Sequence, residues 1–187
     1  MRSNGLCVAR IGCRVSFAGS GRVSAFWGPT LRGGFGFALR GISCALGRDK
    51  CGDCPLGSSC AYGYLFETPV PSGALIMTKY PAAPHPFVFD PPGGELRDVA
   101  PGQEALLAFT LFGRAAVYLP HFLLALQRLG EQGLGRDRVP FLVESLTGED
   151  GAMLYRRCEG PRVGRPNPLW LSLAPQARRR SVFSISF

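Results

Sequence analysis

Four cysteines lie close together in the sequence, with the spacing Cys44-x6-Cys51-x2-Cys54-x5-Cys60. In a Cys-x2-Cys turn, two thiolates point at one tetrahedral ion, about 2.3 Å from each sulfur. The outer two cysteines complete a shell of four sulfurs, which leaves no open position for a substrate. The spacing therefore predicts a structural metal site, with zinc as the first choice. Two alternatives stay open: an iron–sulfur cluster, although the spacing matches neither common ferredoxin pattern, and cysteines that bind no metal.

The same clustering predicts a reducing compartment. Disulfide-rich secreted proteins are usually short chains with cysteines spread along them, whereas these four fall within seventeen residues of a 187-residue chain. Arg10 and Arg14 interrupt any apolar segment of a signal peptide, so we expect a cytoplasmic protein. The most apolar stretch, residues 105–126, contains Arg114 and Pro120, and we interpret it as buried core and not as a membrane span.

Arginine dominates the charge of the chain. The formal net charge is +8, from 21 lysines and arginines against 13 aspartates and glutamates. The planar guanidinium group suits phosphate better than an ammonium group does. The composition therefore favours a polyanionic partner, and the alternative is a solvated basic surface that has none.

Hydrophobic periodicity predicts an α+β fold. From Cys7 to Phe17 apolar and polar side chains alternate, which is typical of a half-buried strand. After Thr30, a suitable helix cap, apolar residues recur with helical spacing and predict a helix over residues 31–42. The other predicted elements are strands at 74–79, 103–112, 139–146 and 153–157, a helix at 115–129, and a proline-rich surface connection at 81–92.

This order of elements is that of a ferredoxin-like βαββαβ domain. We expect the domain to occupy residues 1–158, with a cysteine-rich, metal-binding insertion at residues 44–66 after the first helix. Residues 159–187 contain several prolines and arginines without a clear period, so they are predicted to be a linker or a disordered tail.

The first predicted helix is unusually rich in glycine. Each glycine in a helix costs about 1 kcal/mol relative to alanine, so something should require a close approach to the backbone there. Packing within the domain or a phosphate backbone would supply such a reason. The glycines are Gly33, Gly34, Gly36 and Gly41.

Four segments together resemble one known family. They are GPTLRGGFGFALR at 28–40, CGDCPLGSSCAYGYLFE at 51–67, PHPFVFDPP at 84–92 and LFGRAA at 111–116. In this order they are similar to the CRISPR-associated RAMP superfamily, specifically to the endoribonucleases that process the precursor of CRISPR RNA. The resemblance covers about residues 27–146.

This resemblance implies two RAMP-type ferredoxin-like domains in tandem, of which only the first is recognisable here. It implies defence against foreign nucleic acid, with CRISPR repeat RNA and other CRISPR-associated RAMP proteins as partners. It also implies metal-independent cleavage by attack of a 2′-hydroxyl, with histidine, tyrosine or lysine moving protons. The catalytic candidates are therefore His85, His121 and Tyr62, although each is also compatible with ordinary packing.

Cationic side chains near these segments are the candidates for RNA binding. They lie on the polar side of the first helix, beside the cysteines, at a strand–helix junction and in a glycine-containing loop: Arg32, Arg40, Arg48, Lys50, Arg114, Arg136 and Arg138. Tyr62 and Tyr64 have the chemistry to stack on bases, but residues of this type also belong in cores. Three functions stay open: a precursor CRISPR RNA endoribonuclease or its N-terminal domain, a non-catalytic RNA-binding subunit, and an unrelated zinc-bearing nucleic-acid-binding module.

Overall fold

A 13-residue strand, β1 (Gly5–Phe17), organises the main sheet. The structure is a computed structural model that describes residues 5–24, 27–47, 51–57, 59–70, 73–74, 79–80, 82–90 and 97–172. Every second side chain of β1 is buried from Ala9 to Phe17, as the alternation predicts. Because this strand is long, one of its edges pairs with two different strands in succession.

Seven further strands complete the two sheets. They are β2 (Gly21–Val23), β3 (Phe87–Asp90), β4 (Arg97–Val99), β5 (Glu104–Phe112), β6 (Phe141–Gly148), β7 (Met153–Arg156) and β8 (Leu169–Ser172). The main sheet is antiparallel, with the strand order β3-β5-β1-β6-β7. Strand β8 pairs with the first residues of β1, and a separate two-stranded sheet joins β2 to β4. This α+β architecture is compatible with a ferredoxin-like fold.

Two helices, α1 (Trp27–Ser43) and α2 (Leu119–Gln132), pack against the main sheet. Pro120 lies in the first turn of α2, where its missing N–H would have no helical partner anyway. The centre of the core is aromatic: the ring of Phe35 lies 4.7 Å from that of Phe122 and 5.0 Å from that of Phe89. Such ring pairs contribute about 0.5–1.5 kcal/mol beyond the area that they bury.

Two of the four glycines of the predicted helix, Gly34 and Gly36, have a packing reason. A Cβ on Gly34 would lie 2.6 Å from a methyl carbon of Leu129, and a Cβ on Gly36 would meet the ring of Phe66. Close packing inside the domain therefore explains both positions. A Cβ on Gly33 or Gly41 would meet nothing within 4 Å in the part of the chain that the structure describes.

The structure has strands in two segments that were predicted to be a connection or a tail and not strands. The strand beside β5 is β3, which lies inside the segment predicted to be a surface connection; as an edge strand it tolerates the flanking prolines. Of the strand predicted at 74–79, residues 75–78 lie outside the described residues. Strand β8 lies within the segment predicted to be a linker or tail. No helix among the described residues is long and apolar enough to cross a membrane.

Candidate nucleic-acid interface

A short π-helix, Gly63–Glu67, lies against α1 and carries two aromatic side chains, Tyr64 and Phe66, with Tyr62 just before it. It follows the cysteine segment directly. The chain leaves it at Thr68, whose φ of 42° is left-handed and whose backbone N–H donates to the Gly63 carbonyl oxygen over 2.9 Å. This closing hydrogen bond fixes the end of the helix. The backbone therefore holds these aromatic side chains in place.

Arg32 lies on α1 above this π-helix. Its guanidinium carbon stands 5.3 Å from the centre of the Phe66 ring, within the range of a cation–π contact. One terminal N–H donates to Nε2 of His85. The side chain is exposed, and five N–H donors are available on a guanidinium, so the hydrogen bond to His85 leaves donors directed at solvent.

His85 packs against two aromatic rings, Phe66 and Phe87, and a third ring, Tyr62, stacks on Phe66. The His85 centroid lies 5.0 Å from that of Phe66 and 5.7 Å from that of Phe87, and these two rings lie 6.2 Å apart. Tyr62 lies 5.5 Å from Phe66, and the His85–Phe66, His85–Phe87 and Tyr62–Phe66 pairs have interplanar angles of 22°, 14° and 15°. These stacked rings hold the imidazole plane and direct its two nitrogens at fixed partners.

The hydrogen bonds of His85 define its tautomer. Arginine can only donate, so Nε2 accepts from Arg32, and the ring proton of the neutral imidazole is then on Nδ1. Nδ1 lies 3.2 Å from the Thr68 hydroxyl oxygen, which accepts this proton and donates its own to the Leu65 carbonyl oxygen at 3.4 Å. Burial lowers the pKa of His85, the Arg32 charge lowers it further, and Glu67 opposes both.

We expect the pKa of His85 to lie below its usual value of 6.5. The substitution Arg32→Gln should raise the pKa of His85 again, because it removes a nearby cation. The stabilisation from the neutral ring is fully present above the unfolded pKa of about 6.5 and is lost as pH falls through the lower folded pKa. NMR titration of the imidazole Cε1–H signal, assigned with His85→Gln, measures both values. A wild-type pKa at or above 6.5 contradicts this prediction.

A second arginine–aromatic group is formed by Arg114, Tyr64 and Tyr118. The Arg114 guanidinium carbon stands 4.8 Å from the centre of the Tyr64 ring, and a terminal N–H donates to the Tyr118 hydroxyl over 3.2 Å. The two tyrosine rings stack at 5.4 Å. Near the end of α1, Arg40 makes a third pair, 5.9 Å from the centre of the Tyr62 ring. We call the six residues of these pairs the arginine–aromatic surface: Arg32, Arg40, Arg114, Tyr62, Tyr64 and Phe66.

Tyr62 is buried, with 8% of its surface exposed. Burial raises its pKa to about 12, and the nearby Glu67 carboxylate, to which the phenol is hydrogen-bonded, adds to the shift. The phenol is therefore protonated at neutral pH, and its surroundings do not suit a base. Tyr62 was a catalytic candidate, but its position suits packing against Arg40 and Phe66 better than proton transfer.

His121, the other catalytic candidate, lies in the first turn of α2 and is partly buried. Its ring meets Tyr118 edge-on at 5.5 Å, and Nδ1 is buried without a hydrogen-bond partner among the described residues. The structure thus brings His85 to Arg32 and brings His121 to Tyr118.

The predicted metal ligands lie in the segment that joins α1 to the π-helix. The Cys54 N–H donates to the Cys51 carbonyl oxygen over 3.1 Å, which closes the Cys-x2-Cys turn, and the next turn follows with the Gly57 N–H on the Cys54 carbonyl oxygen at 2.9 Å. A Cβ on Gly63 would lie only 2.7 Å from the Gly57 carbonyl oxygen. The second turn, which ends at Gly57, therefore packs directly on the start of the π-helix.

The two outer cysteines, Cys44 and Cys60, both contact the end of α1. The Cys44 N–H donates to the Arg40 carbonyl oxygen over 2.9 Å, and the Cys60 sulfur lies 3.8 Å from the carbonyl oxygen of Ser43. Burial raises the pKa of the Cys51 thiol, with smaller effects from the other charged groups nearby. Within the described ranges, no group of three or more His, Cys, Asp or Glu side chains is arranged to hold a metal ion. The metal site stays a prediction.

The other predicted RNA-binding residues fall in two places. Arg136 and Arg138 are exposed on the loop between α2 and β6, beside the flank of α1 that is opposite Arg32. Arg48 and Lys50 lie outside the described residues. The arginine–aromatic surface therefore contains Arg32, Arg40 and Arg114 from the predicted set.

Three residues of this region were not among the predicted candidates: Thr68, Tyr118 and Phe66. Thr68 bonds His85 from seventeen positions away, and no local pattern indicates such a pair. Tyr118 packs against the core and accepts a hydrogen bond from Arg114 four residues earlier, which is a spacing that the sequence does display.

These observations define an α+β domain with an antiparallel sheet and an arginine–aromatic surface along one helix. The model of the family described as AF_1859_N, N-terminal domain, matches residues 6–164. The match covers most of the 187 residues and includes the whole arginine–aromatic surface, so the chain belongs to this family. None of the curated proteins matches the chain.

Proposed function

We propose that this domain binds RNA through the arginine–aromatic surface, as part of a CRISPR-associated RAMP protein that handles precursor CRISPR RNA. The observation that supports the proposal is the set of three arginines, each seated on an aromatic ring beside one π-helix. The net charge of +8 favours a polyanionic ligand, and the resemblance in sequence supports this particular RNA.

Arginine on an aromatic ring suits single-stranded RNA for two reasons. The ring restricts the guanidinium group, so less rotational freedom is given up when its N–H groups bind a phosphate. Unstacked bases also pack on aromatic rings and on guanidinium planes, each base contributing about 1–3 kcal/mol. Arg32 and Arg114 are both exposed, which leaves their outer faces open to a nucleic acid.

We also propose a ferredoxin-like βαββαβ domain with residues 44–66 as its cysteine-rich insertion. The order β3-β5-β1-β6, with α1 and α2 in their places along the chain, supports this arrangement. The insertion then follows α1 and ends in the π-helix, so it builds the surface that we assign to RNA.

We propose that the insertion holds one structural zinc ion through Cys44, Cys51, Cys54 and Cys60. Four thiolates are the donor set of a closed zinc site, and two of the four cysteines, Cys44 and Cys60, contact the last residues of α1. An iron–sulfur cluster is the alternative that the same donors allow. The ion would tie the Cys-x2-Cys turn to α1 and thereby fix the start of the π-helix.

Binding is better supported than cleavage. The lone pair of His85 that a base would use already accepts from Arg32, and Tyr62 is a buried phenol with a raised pKa. A general base needs a group that can accept a proton near neutral pH. RNA cleavage, which the resemblance implies, therefore stands as the second candidate function.

We expect a panel of CRISPR repeat RNAs to shift in native gels with this chain, in buffer without added Mg²⁺ or chelator, and to remain intact. Binding should weaken steeply with salt, because phosphate contacts release counterions. A shuffled RNA of equal length is the control for sequence preference. Cleavage at one site that is abolished in His85→Ala or His121→Ala would assign an endoribonuclease instead. An absence of affinity for every RNA at moderate salt would overturn both functions.

A further inference from the structure

A second cationic feature lies on the opposite flank of α1 from Arg32. Here a groove of about 610 Å³ runs between α1 and the loop after α2. Phe37 and Thr30 line its α1 side, and Arg136 and Arg138 line its loop side. Because successive helical residues are about 100° apart, Phe37 lies roughly 140° around the axis from Arg32.

The loop that carries the two arginines is anchored at both ends. The backbone groups of Leu134 and Val139 exchange two hydrogen bonds, of 2.8 and 3.0 Å, and both side chains are buried. The Gly135 carbonyl oxygen accepts a further hydrogen bond from the Arg138 N–H over 3.3 Å. The exposed Arg136 and Arg138 side chains therefore project from a fixed turn.

The groove has the chemistry of a nucleotide site. Phe37 exposes 71% of its surface, which is unusual for a large apolar side chain in the middle of a helix. The described residues that line the groove include no acidic side chain, and the carboxylate next to it along the loop, that of Asp137, accepts a hydrogen bond from the Arg22 N–H at 2.9 Å. An aromatic ring that lines one side of a groove, with two arginines on the other side, matches a base and its neighbouring phosphates.

We infer that single-stranded RNA bound at the arginine–aromatic surface continues across α1 into this groove, where a base stacks on Phe37 and phosphates contact Arg136 and Arg138. The inference rests on the proposed function and adds the course of the strand. Gly33 lies on the outer side of α1 between the two flanks, with open space where a side chain would stand. The helix is about 10–12 Å across, which a few nucleotides can span.

The test compares a long and a short single-stranded RNA, the short one just covering the arginine–aromatic surface. Phe37→Ala, and separately Arg136→Gln with Arg138→Gln, should weaken binding of the long RNA about 10-fold and leave binding of the short RNA unchanged. Leu124→Ala and Arg128→Ala, at exposed positions on α2, are the matched controls. Phe37→Trp should give a tryptophan signal that the long RNA quenches.

Gly33→Gln separates the path of the RNA from any effect on folding. Glutamine is a better helix former than glycine and no described atom within 4 Å opposes its Cβ, so the melting temperature should hold or rise while affinity for the long RNA falls. Unchanged long-RNA affinity in the groove variants, together with an unquenched Phe37→Trp, would overturn the inference. In that case the proposed function would still stand if the Arg32 and Arg114 variants no longer bound RNA. If the wild type bound no RNA, both the inference and the proposed function would be wrong. Loss of a protein partner with RNA affinity intact would assign the groove to protein and overturn the inference.

Discussion

Replacing Arg32 and Arg114 together by alanine is expected to weaken RNA binding about 100-fold. Each substitution removes a guanidinium that we propose contacts phosphate, and the cation–π pair that holds it, for which a loss of about 1–3 kcal/mol is typical. A factor of ten corresponds to about 1.4 kcal/mol, so two such losses multiply to about 100-fold. The arginines lie on different rings, Phe66 and Tyr64, and we therefore expect their effects to add in free energy.

Fluorescence anisotropy with a labelled repeat RNA, repeated over a range of salt, measures this weakening. The double variant should also reduce the salt dependence, by roughly 0.7 in log–log slope for each phosphate of a single strand that the protein no longer neutralises. Arg22→Ala with Arg128→Ala is the matched control, because it removes the same charge from exposed residues elsewhere in the domain. If the control variant loses RNA affinity equally, the loss is a general effect of net charge and the arginine–aromatic surface has no specific role.

The parts of the fold that the sequence predicts best are those with a strong periodic pattern. Strand β1 and helix α2 are buried along a regular set of positions, so their apolar spacing indicates them directly. Strand β3 lacks such a pattern: it has four residues, lies at the sheet edge, and follows prolines that indicate a loop. Its pairing with β5 is a tertiary contact, which local patterns do not encode.

The same distinction applies to the candidate site. Arg32 and Arg40 follow from the polar side of α1, and Arg114 from its place at the end of β5, because each depends on one element alone. The partners of these arginines depend on how the π-helix lies on α1. Gly36 decides this contact, since only a glycine leaves room for the Phe66 ring, yet the sequence indicates only that something must approach closely.

The proposed binding role gives the His85 stack a function without catalysis. A neutral imidazole accepts a hydrogen bond from Arg32, whereas a protonated one would repel it. The lowered pKa of His85 favours the neutral imidazole, whose Nε2 accepts a hydrogen bond from the Arg32 guanidinium over Phe66. Protonation of His85 at low pH would remove the hydrogen bond that holds Arg32. RNA affinity at low pH then depends on both the phosphate contacts and the position of Arg32.

Replacing Cys51 and Cys54 together by serine is expected to reduce bound zinc from one equivalent to none. Two of four thiolates would be removed, and a neutral hydroxyl binds zinc far less well than a thiolate does. Structural zinc contributes on the order of 10 kcal/mol to the folding of small metal-dependent domains. Here the main sheet and both helices have their own core, so we expect the loss of structure to be concentrated in residues 44–67.

Elemental analysis of protein purified without chelator measures the metal, and hydrogen exchange measures the local loss of structure. Protection should fall in the π-helix while β1 keeps its own, because the carbonyl oxygen of Gly57, in the turn that follows Cys54, packs directly on Gly63 at the start of the π-helix. Cys7→Ser and Cys158→Ser, outside the cluster, are controls that should retain the ion. If the protein contains iron and absorbs visible light, the four cysteines hold an iron–sulfur cluster and not zinc. A wild-type protein that contains no metal when purified from zinc-supplemented cells would rule out the zinc site. RNA affinity should fall with the metal, since Tyr62 and Phe66 are carried on the segment that the ion holds.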